Sequence, residues 1–99
     1  MPGSRYPSYL RGLAYLKLHE GQLAEVEFKR VLDHRFLNGA NMVGALSLLQ
    51  MARAEALTGD RASALKSYSD FLQLWNDADK DLLVYGEART EYARLASHN

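Results

Sequence analysis

Hydrophobic side chains recur at intervals of three and four residues through most of this chain, and the clearest case is the stretch 48–75. Two such runs flank residues 58–60, whose sequence Thr-Gly-Asp is typical of a tight turn. Small residues stand where two packed helices would touch, at Ala52, Ala56 and Ala64. The pattern predicts a pair of helices that pack against each other through a short connection.

The same periodicity predicts five helices in the whole chain. Gly21 is expected to end the first helix in the left-handed conformation, and Asp60 is expected to cap the start of the fourth. No stretch alternates between polar and apolar residues with the period of a strand, so we predict an all-α protein. The predicted helices cover residues 6–18, 23–34, 42–57, 61–75 and 81–96.

The outer helices show how these elements are expected to pack. The second helix is predicted to bury one face made of Leu23, Ala24, Val26, Phe28, Val31 and Leu32. The fifth is predicted to cap the array, with Leu82, Tyr85, Ala88, Tyr92 and Leu95 laid against Phe71, Leu72 and Trp75. Its opposite face, with Glu87, Arg89, Glu91 and Arg94, is expected to face solvent.

The first two predicted helices and the next two repeat one pattern after forty residues. Small residues recur within each pair, and an aromatic residue follows the second small residue by four positions. The matched positions are Gly12, Ala24, Phe28 and Val31 in the first pair, and Ala52, Ala64, Tyr68 and Phe71 in the second.

This pattern resembles the tetratricopeptide repeat, a helix-turn-helix unit of about 34 residues with the pattern W-x2-L-G-x2-Y…A-x3-F…P. Tyr15 fits it as well, whereas Glu55 stands at an aromatic position and Asn76 at the proline position. Ser8 and Arg11 likewise replace the first large apolar pair. The resemblance implies one domain over residues 1–99, an all-α right-handed helical-repeat array of two helix-turn-helix units plus a C-terminal capping helix. The expected bounds are about 5–35 for the first repeat, 36–41 for a loop, about 42–76 for the second repeat and about 80–96 for the capping helix.

A narrower resemblance concerns the segments YLRGLAYL, EFKRVLDHR and YSDFLQLWNDAD. They look like parts of the C-terminal tetratricopeptide regions of bacterial serine/threonine protein kinases. The chain carries no kinase signature, so kinase activity does not come with the resemblance. What it implies is an interaction module of a larger bacterial signalling protein. The cytoplasm is favoured if the chain is complete, whereas a longer parent of this kind can be anchored in a membrane.

Composition narrows the classes of partner. Lys and Arg together number 12, Asp and Glu number 12, and cysteine is missing. A nucleic-acid-binding protein would usually show a basic surplus or stripe, so nucleic acid is not an expected partner. No segment has the apolar length of a membrane span, so no membrane insertion by this segment is expected. Thiolate metal sites and disulfides are excluded.

Candidate catalytic and metal motifs are incomplete. His19 and Glu20 begin like a zinc-protease HExxH helix, but Leu23 stands where the second histidine would be. Residues 77–81 alternate carboxylates like a calcium loop, but Ala88 replaces the glutamate that would bind the ion with both oxygens. The serines lack a nucleophile motif with a base. We therefore expect no enzyme activity, no metal and no cofactor.

The resemblance also places a candidate binding surface. In tetratricopeptide proteins the first helix of each repeat lines a concave groove that takes a peptide or partner helix. Lys17, Gln50 and Arg53 would supply hydrogen-bond donors beside apolar anchors; the asparagine-and-lysine clamp of some members is not reproduced. The candidate partner-binding residues are Tyr6, Tyr9, Leu13, Leu16, Lys17, Leu49, Gln50 and Arg53, with Ala56 on the same face.

A second use of this surface stays open at the sequence level. The same face could pack on another copy of the chain or on a neighbouring repeat, since solenoids usually need three or more repeats. Tyr6, Tyr9 and Leu13 would then form an exposed patch at the uncapped N-terminal end. The two predicted functions are therefore a non-catalytic scaffold that binds a protein or peptide, and a self-association module with no separate peptide ligand.

Overall fold

The computed structural model describes residues 6–35, 42–75 and 83–97, and nearly all of them are helical. No strand occurs in these ranges, which confirms the predicted all-α class. The predicted loop 36–41, the carboxylates at 77–81, and Asn76 and Leu82 lie outside the described residues. The helices are α1 (Tyr6–Lys17), α2 (Gly21–Arg35), α3 (Met42–Thr58), α4 (Arg61–Trp75) and α5 (Leu83–Ser97).

Each helix packs against the next one along the chain, and α1 also contacts α3. This succession of neighbours is what a helical-repeat array requires, because every new helix is laid on the pair before it. The predicted arrangement of two helical hairpins followed by one further helix is confirmed. The α3–α4 pair corresponds to the hairpin predicted from residues 48–75.

The forty-residue repeat appears in the backbone of the two turns. Both turns place one residue in the left-handed region, His19 with φ 59° and Gly59 with φ 86°. The amide of Glu20 donates to Tyr15 O at 2.8 Å, and the amide of Asp60 donates to Glu55 O at 3.0 Å. Both bonds span five residues and close the preceding helix as a Schellman motif does. The two hairpins therefore have equivalent turns.

The predicted role of Gly21 is wrong, whereas that of Asp60 is confirmed. His19 takes the left-handed position that was assigned to Gly21, which begins α2 instead. A Cβ atom on Gly21 would lie 2.8 Å from Thr58 Cγ2 and 2.9 Å from Ala54 O, so glycine lets α2 approach α3. Asp60 Oδ1 accepts a hydrogen bond from the Ser63 amide at 3.2 Å, which is an N-cap contact.

Most of the buried apolar side chains form two clusters, one around α2 and one around α4. The first-repeat cluster contains Ala24, Phe28 and Ala54, so it joins α2 to α3. Gly12 lies against it, because a Cβ there would be only 2.5 Å from the ring of Phe28. The second-repeat cluster joins α3, α4 and α5 and contains Ala45, Leu48, Leu49, Ala52, Ala64, Tyr68, Phe71 and Ala88.

The apolar face predicted for α2 is partly wrong. Ala24, Phe28 and Val31 are buried, but Leu23 is 46% and Val26 49% exposed. Leu23 precedes the buried Ala24 by one residue, and Val26 precedes the buried Phe28 by two. These offsets turn the two side chains about 100° and about 200° around the helix axis, away from the face that contacts α1 and α3.

The fifth helix caps the array as predicted in the described part. Ala88 is completely buried, and Tyr85, Tyr92 and Leu95 pack against the second-repeat cluster beside Leu72. The Arg61 guanidinium donates to the carbonyl oxygens of Leu95 and Ala96, both at 3.0 Å. These bonds satisfy two of the carbonyl groups that a helix end leaves without a partner.

Candidate functional site

A groove runs between α1 and α3 with a volume of about 770 Å³. Its walls are mainly apolar, with a few polar side chains along them. Apolar walls with a few fixed polar groups are the usual composition of ligand-binding clefts. The groove is lined by Leu13, Ala14, Leu16, Lys17, His19, Gln50, Arg53, Ala56, Leu57 and Tyr68.

Most of the predicted partner-binding residues meet in this groove. α1 contributes Leu13, Leu16 and Lys17, and α3 contributes Gln50 and Arg53. These residues recur every three or four positions, which places them on one side of each helix. Ala56, predicted on the same face, also lines the groove.

Two predicted residues, Leu49 and Tyr9, lie elsewhere. Leu49 is only 1% exposed and belongs to the second-repeat cluster, so it is a core residue and no part of the groove surface. Tyr9 packs edge-to-face on Phe28 with ring centroids 5.9 Å apart, which makes it a wall of the first-repeat cluster. The side chain of Tyr6 lies outside the described residues.

Arg53 binds the capping helix at the wall of the groove. Its Nε and Nη2 atoms donate to Glu91 Oε1 at 2.9 Å and Oε2 at 2.8 Å, which is a bidentate pair. Glu87 lies 3.6 Å from the same guanidinium. Tyr68 donates its hydroxyl to Glu91 Oε1 at 2.8 Å. Arg53, Tyr68 and Glu91, here called the latch, tie α3, α4 and α5 together.

Glu91 corrects a sequence prediction, because it was expected on the solvent face of the fifth helix. Its side chain is 27% exposed and points to α3, while Glu87 is 48% exposed. Sequence reasoning missed this pair because Arg53 and Glu91 are separated by the whole of α4. The only signal was two acidic residues one turn apart on the last helix, Glu87 and Glu91, which match a cation on a neighbouring helix.

The ionisation of the latch follows from its geometry. Partial burial raises the pKa of Glu91, but hydrogen bonds from Arg53 and Tyr68 outweigh burial and hold the pKa below its usual range. The hydrogen bond to Glu91 raises the pKa of Arg53. Burial, together with the Glu91 carboxylate, raises the pKa of the Tyr68 hydroxyl. The shifts therefore favour a charged Arg53, a protonated Tyr68 hydroxyl and an ionised Glu91. In these states both donors bond to one carboxylate.

A second polar contact lies inside the α3–α4 hairpin. Glu55, which replaces the aromatic residue of the repeat pattern, is 8% exposed and accepts a hydrogen bond from Ser67 Oγ at 2.7 Å. Burial raises the pKa of Glu55, the Ser67 hydrogen bond opposes it, and the charges of Glu25 and Asp60 add to the rise. A carboxyl group is thus buried where the family pattern would place an aromatic ring.

The described residues contain no group of three histidine or acidic side chains placed to hold a metal ion. Within the same ranges, no helix has the length and apolar character needed to cross a membrane. The polar side chains that line the groove are Lys17, His19, Gln50, Arg53 and Tyr68.

Comparison with known proteins leaves the fold and the groove as the main sources of functional inference. No family model, no curated protein and no solved structure matches the chain.

Proposed function

We propose that this chain is a non-catalytic scaffold module of the tetratricopeptide type that binds a peptide segment of another protein in the groove between α1 and α3. The observation that carries the proposal is the groove itself: about 770 Å³ of mainly apolar cleft lined by the inner faces of two repeat-equivalent helices. Helical-repeat proteins use such surfaces to bind extended partners. The wider setting, a larger bacterial signalling protein, rests on the sequence resemblance.

The volume and lining favour a peptide with apolar anchor residues. Leu13, Leu16 and Leu57 offer side-chain surface to such anchors, and Leu57 is 48% exposed. Burial of apolar area contributes about 25 cal/mol for each Å², so one or two large side chains supply most of the affinity.

The polar contacts would come from Lys17 and Gln50 rather than from Arg53. The guanidinium of Arg53 is engaged by Glu91, and its Nη1 donates to Gln50 Oε1 at 3.3 Å. The Gln50 side-chain amide therefore keeps its N–H donors for a ligand. Lys17 is exposed at the rim, where its ammonium group suits a carboxylate or carbonyl oxygen of the peptide.

A structural role for the latch supports the absence of catalysis. Clusters of shifted pKa values occur at active sites and in structural ion-pair networks alike. Here the raised pKa of Tyr68 and the lowered pKa of Glu91 keep both groups in their ordinary protonation states near neutral pH. A general acid or base needs the opposite, a pKa moved toward the working pH.

Leu57→Gln tests the groove. Peptides selected from a random display library against the wild-type chain should bind the variant at least about tenfold more weakly, because an anchor side chain loses its apolar partner. Leu74→Gln is the matched control, since Leu74 is 41% exposed on α4 and does not line the groove. The proposal fails if selection yields no peptide, or if both variants bind the selected peptides like the wild type.

The alternative function, self-association through the same face, gives a different result. Sedimentation of the wild-type chain without peptide would then show a dimer, and Leu57→Gln would dissociate it. A monomer that binds selected peptides supports the scaffold function.

A further inference from the structure

The outer face of α1, opposite to the side that packs on α2, carries a row of exposed apolar side chains. Leu10 is 47% and Leu18 70% exposed. Pro7, which precedes Leu10, and Ala14, which lies between the two leucines, are exposed as well. Their spacing of three and four residues places them in one stripe about three turns long. We call Pro7, Leu10, Ala14 and Leu18 the outer stripe. Leu10 and Leu18 do not line the groove.

The repeat shows what this stripe is built to contact. A shift of forty residues places the outer stripe on Ser47, Gln50, Ala54 and Thr58 of α3. In α3 part of this side packs on α2: Ala54 is completely buried with Ala24 and Phe28, and Thr58 meets the start of α2 at Gly21. Gln50, the equivalent of Leu10, lines the groove instead. The same side of α1 is exposed and more apolar. It therefore has the shape of a helix-binding face with no helix on it in the described structure.

The residues that flank the stripe differ from their α3 equivalents in charge. Arg11 and Lys17 stand where α3 has Met51 and Leu57. Arg11 lies 3.3 Å from the Glu27 carboxylate, and its side chain remains 51% exposed. α1 itself contains no acidic residue. Both edges of the stripe are thus basic.

We propose that the outer stripe docks an amphipathic helix of a partner protein whose apolar row is flanked by acidic residues. Leucine-type side chains of the partner would bury Leu10 and Leu18, with Ala14 allowing close approach between them. Carboxylates at its edges would meet Arg11 and Lys17, as charge complementarity across an interface requires. Leu10 and Leu18 lie outside the peptide groove, whereas Ala14 and Lys17 line the groove as well. The inference does not depend on the function proposed for the groove.

A second copy of the chain is a poorer occupant. If two outer stripes met in antiparallel fashion around Ala14, Arg11 of one copy would lie near Lys17 of the other. Like charges placed opposite each other across an interface oppose binding. The basic edges therefore select an acidic helix over self-pairing.

The test uses two synthetic helical peptides of about four turns, both with leucine at spacings of three and four residues. One peptide carries glutamate at the flanking positions and the other carries lysine at the same positions. Fluorescence anisotropy with the whole chain should show the glutamate peptide binding at least about tenfold more tightly, with affinity falling as salt is raised.

Variants of exposed residues locate the binding. Leu10→Gln with Leu18→Gln should weaken the glutamate peptide by about tenfold or more, whereas Leu74→Gln should not. Lys17→Glu should reduce the preference for glutamate over lysine, and Arg89→Glu on α5 is its charge-matched control. Leu57→Gln in the groove should leave this binding unchanged, so the result is independent of the peptide groove.

Three outcomes overturn the proposal. In the first, the two peptides bind equally or not at all. In the second, the Leu10 and Leu18 double variant has the wild-type melting temperature and binds the glutamate peptide like the wild type. In the third, the wild-type chain is a dimer and the double variant is a monomer. The last would assign the stripe to self-association.

Discussion

Gly12 sets the distance between the first two helices. A Cβ atom at this position would lie 2.5 Å from Phe28 Cε1 and Cζ, well inside van der Waals contact. The ring cannot move away freely, because Phe28 is completely buried and Tyr9 packs on its edge. The equivalent residues in the second repeat are Ala52 and Tyr68, which are both buried in the second-repeat cluster. One unit therefore has glycine with phenylalanine at these positions, and the other has alanine with tyrosine.

Gly12→Ala should therefore destabilise the fold, although alanine favours a helix. Overpacking of a core costs about 1–3 kcal/mol, more than the roughly 1 kcal/mol gained in helix propensity. Gly86→Ala in α5 is the control, because nothing lies within 4 Å of the added atom. Urea unfolding should show a loss for the first variant and a gain of up to about 1 kcal/mol for the second. Equal gains would disprove the close contact.

Glu55 brings a pH dependence into the α3–α4 hairpin. Its folded pKa is raised by burial, so the folded state binds this proton more tightly than the unfolded chain. The protonated Glu55 therefore contributes to the free energy of unfolding. This contribution is fully present below the unfolded pKa of Glu55 and is lost as pH rises through its folded pKa. At neutral pH the buried charge is a cost.

Glu55→Gln should remove that cost while keeping an oxygen for the Ser67 hydroxyl. We expect a gain of roughly 0.5–1 kcal/mol at about pH 7 that shrinks toward zero at about pH 3. Thermal melts of both proteins across this range measure the difference. Glu20→Gln, at an exposed position, should show no such trend. If the stability gain has the same size at all pH values, it does not come from the ionisation of Glu55.

Residue-scale chemistry was only partly accessible from the sequence. The sequence identified Gly12 and Phe28 as matched positions of one repeat pattern on adjacent helices, but it did not predict that the two residues are in contact. The burial of Glu55 was not predicted either, because a glutamate at an aromatic position gives no sign of whether it turns to solvent or bonds to Ser67.

At the scale of elements, α5 is held on the array by apolar packing, by the latch and by the Arg61 hydrogen bonds to its last carbonyl groups. Its apolar side, centred on Ala88, packs on the second-repeat cluster, while Glu91 joins the latch. Because the folded pKa of Glu91 is lowered, its stabilisation is present above the unfolded pKa and is lost as pH falls through the folded pKa. Acid should therefore loosen α5 before it unfolds α3.

Glu91→Gln should loosen the same helix at neutral pH. Loss of charge-assisted hydrogen bonds to a partly buried arginine costs about 1–3 kcal/mol. Amide protection factors in residues 83–97 should fall at neutral pH. In this variant they should not decrease further as the pH is lowered. Glu87→Gln is the control, since Glu87 is half exposed and 3.6 Å from Arg53, and such pairs contribute about 0–1 kcal/mol. Equal effects of the two variants would contradict the dominant role of the latch.

The helices themselves followed closely from the sequence, since apolar periodicity, Asp60 and the turn at 58–60 are local signals. Which helix faces meet was harder to predict. Leu49 and Tyr9 were expected in the groove but pack in the clusters, because adjacent positions on one helix differ by only 100° and both faces of α3 are apolar. Local patterns do not distinguish a groove wall from a core wall in such a helix.

For the whole molecule, the array predicts a gradient of stability. α3 lies between α2 and α4 and also contacts α1, whereas α5 packs mainly on α4. Stability in such arrays sums over neighbouring contacts, so the end helices open most easily. Native-state hydrogen exchange should show the strongest protection at α3 residues such as Ala52 and Ala54, and the weakest in α5. Equal protection in the two helices would indicate that the five helices unfold only as one unit.

The two turns differ in one respect that bears on the order of folding. A residue other than glycine in the left-handed region costs about 1–2 kcal/mol, so His19 makes the first turn harder to form than Gly59 makes the second. The α3–α4 hairpin is therefore expected to form early in the folding transition state, and the α1–α2 hairpin to dock on it later. In kinetic terms, substitutions around Ala64 should slow folding, while substitutions around Ala24 should mainly speed unfolding.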